Sequence, residues 1–220
     1  MSGSRISPAE SRLQSHSPFA NLPLISASGR GVVAVERDGL AIARIAARKD
    51  RLAALTSRVR ERFGVELPQG PRRVETIGLA FVGVGVETWL AVAEGSSTSP
   101  ETPRAPGNNG RNNFAASLRD AIDDLATVSD QIGSYAVLRL KGPRVRDALA
   151  KFIPLDLHAR VFDPGSVAST IASHIPVTLW RLADGSDGLP VFEIAAPRSY
   201  AGSFWHVVME SAAEFGFVRE

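Results

Sequence analysis

One order of elements occurs twice in this chain. The first pass begins at residue 40. LAIARIAA (40–47) has the composition of a strand. In the following KDRLAALTSRVRERFG, Leu52, Leu55, Val59 and Phe63 recur at helical spacing on one face, and Gly64 closes that helix. IGLAFV and TWLAVA, separated by GVGVE, form a strand pair. Residues 95–113, GSSTSPETPRAPGNNGRNN, read as a flexible surface loop. Phe114, Leu118, Ala121 and Leu125 then make a second helical stripe, with Asn112 or Asn113 as its cap.

The second pass begins at SYAVLRLKG, where Ala136, Leu138 and Leu140 alternate with Tyr135, Val137 and Arg139 as in a strand. Gly142 and Pro143 open a helix whose buried stripe is Val145, Leu149 and Phe152. Residues 154–172 are mixed. HIPVTLWRL and LPVFEIAA pair through the turn ADGSDG, and a helix runs from Ser199, its expected cap, to Phe215. Strand, helix, strand, strand, helix, used twice, is the grammar of the ferredoxin-like unit. The expected fold is α+β: two linked ferredoxin-like (βαββα) units with antiparallel sheets, the strand at 135–141 ending one and starting the next. The expected boundaries are a disordered leader at 1–30, an N-terminal unit at 31–134 and a C-terminal unit at 135–220.

Composition limits the chemistry. Apolar residues are 44% and charged residues 22% of 220, as in a globular protein. No apolar run is long enough to cross a membrane, and residues 1–30 lack the apolar core of a signal peptide, so a cytoplasmic location is expected. With no cysteine, disulfides, thiolate catalysis and cysteine-ligated zinc or iron–sulfur centres are excluded. His16, His158, His174 and His206 include no pair one helical turn apart, so there is no helical metal motif. His174 reads as structural at the start of a strand, and His158 as orienting its loop through Asp156. GVGVE (83–87) has dinucleotide-site glycines but is followed by a strand, which makes it a turn. KGPRVRD could present backbone N–H groups, Arg144 and Arg146 to an anion, although solvated arginines are the default.

Two stretches suggest contact surfaces. Arg44–Arg73 carries nine basic groups against three acids, and Arg51, Arg58 and Arg62 lie within about 40° of one another on the first helix. Such a stripe suits a solvated face, an acidic partner surface, the phosphates of a cofactor or nucleic acid. In PRSYAGSFWH and its continuation, Ala201, Phe204, Trp205, Val208, Ala212 and Phe215 are core positions. Tyr200 and Val207 are left on one flank beside Ser203 and His206, a surface fit for another chain. Ser203 and His206 share a polar edge, but no nucleophile elbow surrounds the serine.

The strings YAVLRLKGPRVRDALAKFIPLDLHARVFDPGSVAST, HIPVTLWRL and FEIAAPRSYAGSFWHVV resemble the gamma subunit of heterotetrameric sarcosine oxidase. IAARKDRLAALTSRVRERFGVELPQGPRRV and WLAVAE extend the resemblance to about residues 30–216. It implies an aminomethyltransferase-like fold. It also implies a non-catalytic place in a complex that demethylates sarcosine to glycine, with tetrahydrofolate as one-carbon acceptor and hydrogen peroxide formed. FAD, FMN, NAD and zinc are then expected on the alpha, beta and delta subunits and none on this chain, with neither nucleic acid nor membrane as a partner. Arg51, Arg58, Arg62, His158, Tyr200, Ser203, His206 and Val207 are the candidate subunit contacts. A related subunit of an N-methylglutamate dehydrogenase complex, a free-standing folate-binding module and an RNA-binding module remain as other readings.

Overall fold

The computed structural model describes residues 17–20, 22, 29–94 and 113–220. The expected leader and the loop at 95–113 therefore lie largely outside the described residues. The fold is mixed α+β. One five-stranded sheet has the order β3 (Arg73–Thr76), β4 (Leu79–Gly85), β5 (Thr88–Ala93), β2 (Ala41–Ala47), β6 (Ala126–Asp130), antiparallel throughout. Helices α1 (Leu52–Phe63) and α2 (Phe114–Ile122) cover it. The other sheet has six strands in the order β11 (Phe217–Arg219), β1 (Val32–Glu36), β7 (Tyr135–Lys141), β10 (Val191–Pro197), β9 (Ile175–Arg181), β8 (Val167–Ala172). It is antiparallel except for the parallel β1–β11 pair, and α3 (Val145–Ala150) and α4 (Ala201–Ala212) cover it.

The sheets stack face to face between the helix pairs, because interior strands of both are apolar on both sides. On β5, Trp89, Ala91 and Ala93 face the helices, while Leu90 and Val92 face the other sheet. On β10, Phe192, Ile194 and Ala196 face α4, and Ala195 joins the layer between sheets. Period-two alternation carries this division. Each fully buried large apolar side chain contributes about 1.5–3 kcal/mol. The sheets also touch at their edges. Arg72 bridges Ser166, the Arg73 N–H reaches the Gly165 carbonyl at 2.7 Å, and the Val167 N–H reaches that of Pro71 at 3.0 Å. Within the five-stranded sheet, Gly83 of β4 lets the segment that leads into β3 approach closely, since a Cβ would lie 2.0 Å from the Gly70 carbonyl oxygen.

Several elements depart from the sequence reading. The strand at 135–141, expected to be shared between the two units, belongs wholly to the six-stranded sheet, and the strand that follows α2 in the five-stranded sheet is β6. That sheet also takes in β1, from the segment assigned to the N-terminal unit. β1, β3, β6, β8 and β11 were not anticipated as strands. Part of the expected leader is held: Phe19 is fully buried, its ring 6.0 Å from that of Trp205, and Arg219 donates to its carbonyl at 2.9 Å. Ser199 lies in a 3-10 turn and does not cap α4, whose first turn follows Tyr200 with no side-chain cap. Asn113 precedes α2 without capping it, and Asn112 is outside the described residues. Leu52 stays 37% exposed because it opens α1 over a surface hollow rather than the sheet. His174 sits exposed in the β8–β9 turn instead of starting a strand.

Candidate functional site

The PRSYAGSFWH segment divides as helical geometry requires. Ala201, Phe204, Trp205, Val208, Met209 and Ala212 are buried against the six-stranded sheet, and Phe215 packs on them half-buried. Tyr200 is 46% exposed, Ser203 and His206 are exposed, and Val207 is half-buried at the margin of the core. The His206 Nε2 lies 3.1 Å from a Glu210 carboxylate oxygen one turn on, an exposed pair. Ser203 and His206 thus lie on open surface, without the water-excluded setting a serine nucleophile needs. What α4 presents is an amphipathic flank: an aromatic ring, an aliphatic side chain and a polar edge.

The remaining sequence candidates are spread over the surface. The Asp156 carboxylate accepts from the His158 backbone N–H at 2.9 Å, and the His158 Nδ1 accepts from the Arg160 N–H at 3.3 Å. The imidazole does orient its loop, but through Arg160; Asp156 takes the backbone. The arginines after Gly142 are engaged within the chain: Arg144 pairs with Asp147, and Arg146 donates to the Leu157 carbonyl at 3.0 Å. Burial first, and then the charge of Arg181, hold the Arg146 guanidinium below its usual pKa. Arg51, Arg58 and Arg62 are exposed on α1. No group of three or more His, Asp or Glu among the described residues could hold a metal ion. No helix among them is long and apolar enough to cross a membrane.

Two features escaped the sequence reading. A hollow of about 690 Å³ lies beside α1, walled by Leu52, Leu67, Pro68, Val84, Val86 and Trp89. The indole of Trp89 fixes one wall by donating to the Pro68 carbonyl at 2.9 Å. Its signal in the sequence was Val86 at a hairpin tip, which is 92% exposed. The second feature is a buried charge cluster between the sheets. Glu193 accepts from Arg37 Nε at 2.9 Å, from Arg139 Nη2 at 2.7 Å and from the Trp180 indole at 2.8 Å. An acid inside the apolar run VFEIAA was its only local signal.

No family model matches the sequence, and no curated protein matches it. Solved structures do. A chain of the heterotetrameric sarcosine oxidase from Corynebacterium sp. U-96, solved in complex with pyrrole 2-carboxylate, superposes with a TM-score of 0.71 over 91% of this chain and 96% of that one, at 24% identity. This chain has the fold of that sarcosine oxidase chain. The glycine cleavage system aminomethyltransferase T from Bartonella henselae shares it with a TM-score of 0.58 and 14% identity. The match covers 86% of this chain and 47% of the aminomethyltransferase, so this chain spans about half of that enzyme.

Proposed function

We propose that this chain is the non-catalytic gamma subunit of a heterotetrameric sarcosine oxidase, built as two ferredoxin-like units, whose task is assembly and subunit contact. The observation that carries the proposal is the likeness to a sarcosine oxidase chain over nearly the full length of both. The α4 flank supports it, since Tyr200 is exposed beside Ser203, His206 and Val207. In this reading the alpha, beta and delta subunits hold FAD, FMN, NAD and zinc and carry out the oxidative demethylation. This chain contributes shape and adhesive surface in the cytoplasm. A related N-methylglutamate dehydrogenase complex would use the same subunit in the same way. The aminomethyltransferase likeness favours a second reading, a free-standing folate-binding module.

Co-expression with sarcosine oxidase alpha, beta and delta chains, followed by gel filtration, tests the proposal. The chain is expected to co-elute with them. Tyr200→Ala or His206→Ala weakens co-elution with little change in the melting temperature of the free chain. Trp205→Ala, which empties the core, costs about 3–5 kcal/mol of folding stability. A chain that elutes alone while the other three form an active enzyme defeats the proposal. Tetrahydrofolate bound by the isolated chain would favour the second reading.

A further inference from the structure

Between Arg44 and Arg73 the cations are neutralised unevenly. Arg60 lies 3.2 Å from Glu66, Arg73 lies 2.7 Å from Glu75, and Arg72 pairs with Asp163. Arg51, Arg58 and Arg62 are exposed, and none has a carboxylate partner among the described residues. Glu61, the only acid on α1, pairs with none of them. Asp120, Asp123 and Asp124 line a separate hollow with Arg48 and Arg119. The guanidiniums of Arg51, Arg58 and Arg62 form a line roughly 16 Å long at the usual helical rise, and Arg44, Arg48 and Lys49 are further exposed cations of this stretch with no carboxylate ion pair among the described residues.

Arg62 stands in the last turn of α1, where the dipole favours a cation, but two other features of the line work against the helix. Arg58 and Arg62 are like charges one turn apart, which repel. Arg51 stands at the start of α1, where the dipole favours anions, yet the first turn contains no acid and no side chain caps it. An anionic surface laid along this flank would offset both effects. We infer that the Arg51–Arg58–Arg62 flank of α1 docks on an acidic protein surface, the partner being a companion subunit if the assembly reading above holds. The features beside it suit a protein rather than a nucleic acid. Guanidinium forks match carboxylates two bonds at a time. The exposed large apolar neighbours at the start of the helix, Leu52 and Val86, are aliphatic and provide no platform for stacking bases. A net charge of +2 is small for a chain that tracks phosphates.

The test uses the full chain and the triple variant Arg51→Glu, Arg58→Glu, Arg62→Glu, with fluorescence anisotropy of labelled poly-glutamate and of labelled poly-uridine of equal charge. The wild-type chain is expected to bind poly-glutamate more weakly as salt rises, and the triple variant to bind about tenfold or more weakly at low salt. An unchanged melting temperature separates this loss from misfolding. The corresponding triple glutamine variant provides the comparison if charge reversal unfolds the chain. Equal poly-glutamate binding by wild type and variants overturns the inference, as does failure of the wild type to bind it. Tighter binding of poly-uridine through the same arginines also overturns it. Co-elution with the sarcosine oxidase chains is scored separately: if it fails while poly-glutamate binding persists, the subunit reading falls and the acidic-partner inference stands.

Discussion

Glu193 is 3% exposed, and the guanidiniums of Arg37 and Arg139 and the indole of Trp180 surround it. Arg37 also reaches Glu94, so the cluster ties β10, β9 and β7 of one sheet to segments flanking the other. Removing a buried partner leaves charges unmatched in a poorly solvated layer. Glu193→Ala is therefore expected to cost about 3–5 kcal/mol in urea unfolding, and Glu193→Gln less, because its amide oxygen still accepts. Loss of equal size in both variants would show that charge, not hydrogen bonding, dominates. The sequence marked which α4 residues face inward, because helical spacing is local. It did not mark Glu193 as a junction, because Arg37 stands 156 positions away and Arg139 stands 54 away. Apart from the half-buried Val207, the candidate contact residues were legible as exposed positions; a partner for them was not, since a surface acquires specificity only against its complement.

The strands that were read correctly, β2, β4, β5, β7, β9 and β10, are all interior members of their sheets, and each is an apolar run; β1 is the one interior strand that was missed. The edge strands β3 (RVET), β6 (ATVSD), β8 (VASTIA) and β11 (FVR) are short, polar on one side, or both, and only their neighbours make them strands. Edges also hold the two sheets together. Arg72 donates to Asp163 and, at 3.0 Å, to Ser166 across the β3–β8 contact. The Arg72 and Ser166 hydrogen bonds pull the Asp163 carboxyl from 3.8 down to about 2. A depressed carboxylate contributes stability above its ordinary pKa and loses that contribution as pH falls through its folded value. Melting temperatures of the wild type and Asp163→Asn are thus expected to differ near neutrality and to converge as pH drops from 3.8 to about 2. A difference that stays constant across that window would show that the ion pair does not join the edges. The site is exposed, and the effect is accordingly small.

The two sheets are built from interleaved stretches of chain rather than in series. β1 lies between β7 and β11, with Ala34 opposite both Leu140 and Arg219. Gly31 admits this closure, because a Cβ there would lie 2.0 Å from the Phe215 carbonyl oxygen. A chain starting at Gly39 deprives β11 of its partner and β7 of one neighbour. Its six-stranded sheet and the helices on it are expected to lose fixed packing, seen as loss of the near-ultraviolet signals of Trp180 and Trp205, while Trp89 in the five-stranded sheet retains its own. Single-tryptophan versions of the truncated chain would separate these contributions, and a native-like Trp205 signal would contradict the expectation. The repetition of strands and helices was visible in the sequence, short of β3 in one pass and of β8 in the other; this exchange was not, because period and propensity describe a strand and not the sheet that accepts it. The placement of β1 also governs events at the ribosome. Roughly a hundred residues of synthesis separate VVAVE from its antiparallel partner, on the order of ten seconds of translation. Only at the end of that interval is β6, the last strand of the five-stranded sheet, made, and until then an apolar segment waits with both edges bare, a natural substrate for a nascent-chain chaperone.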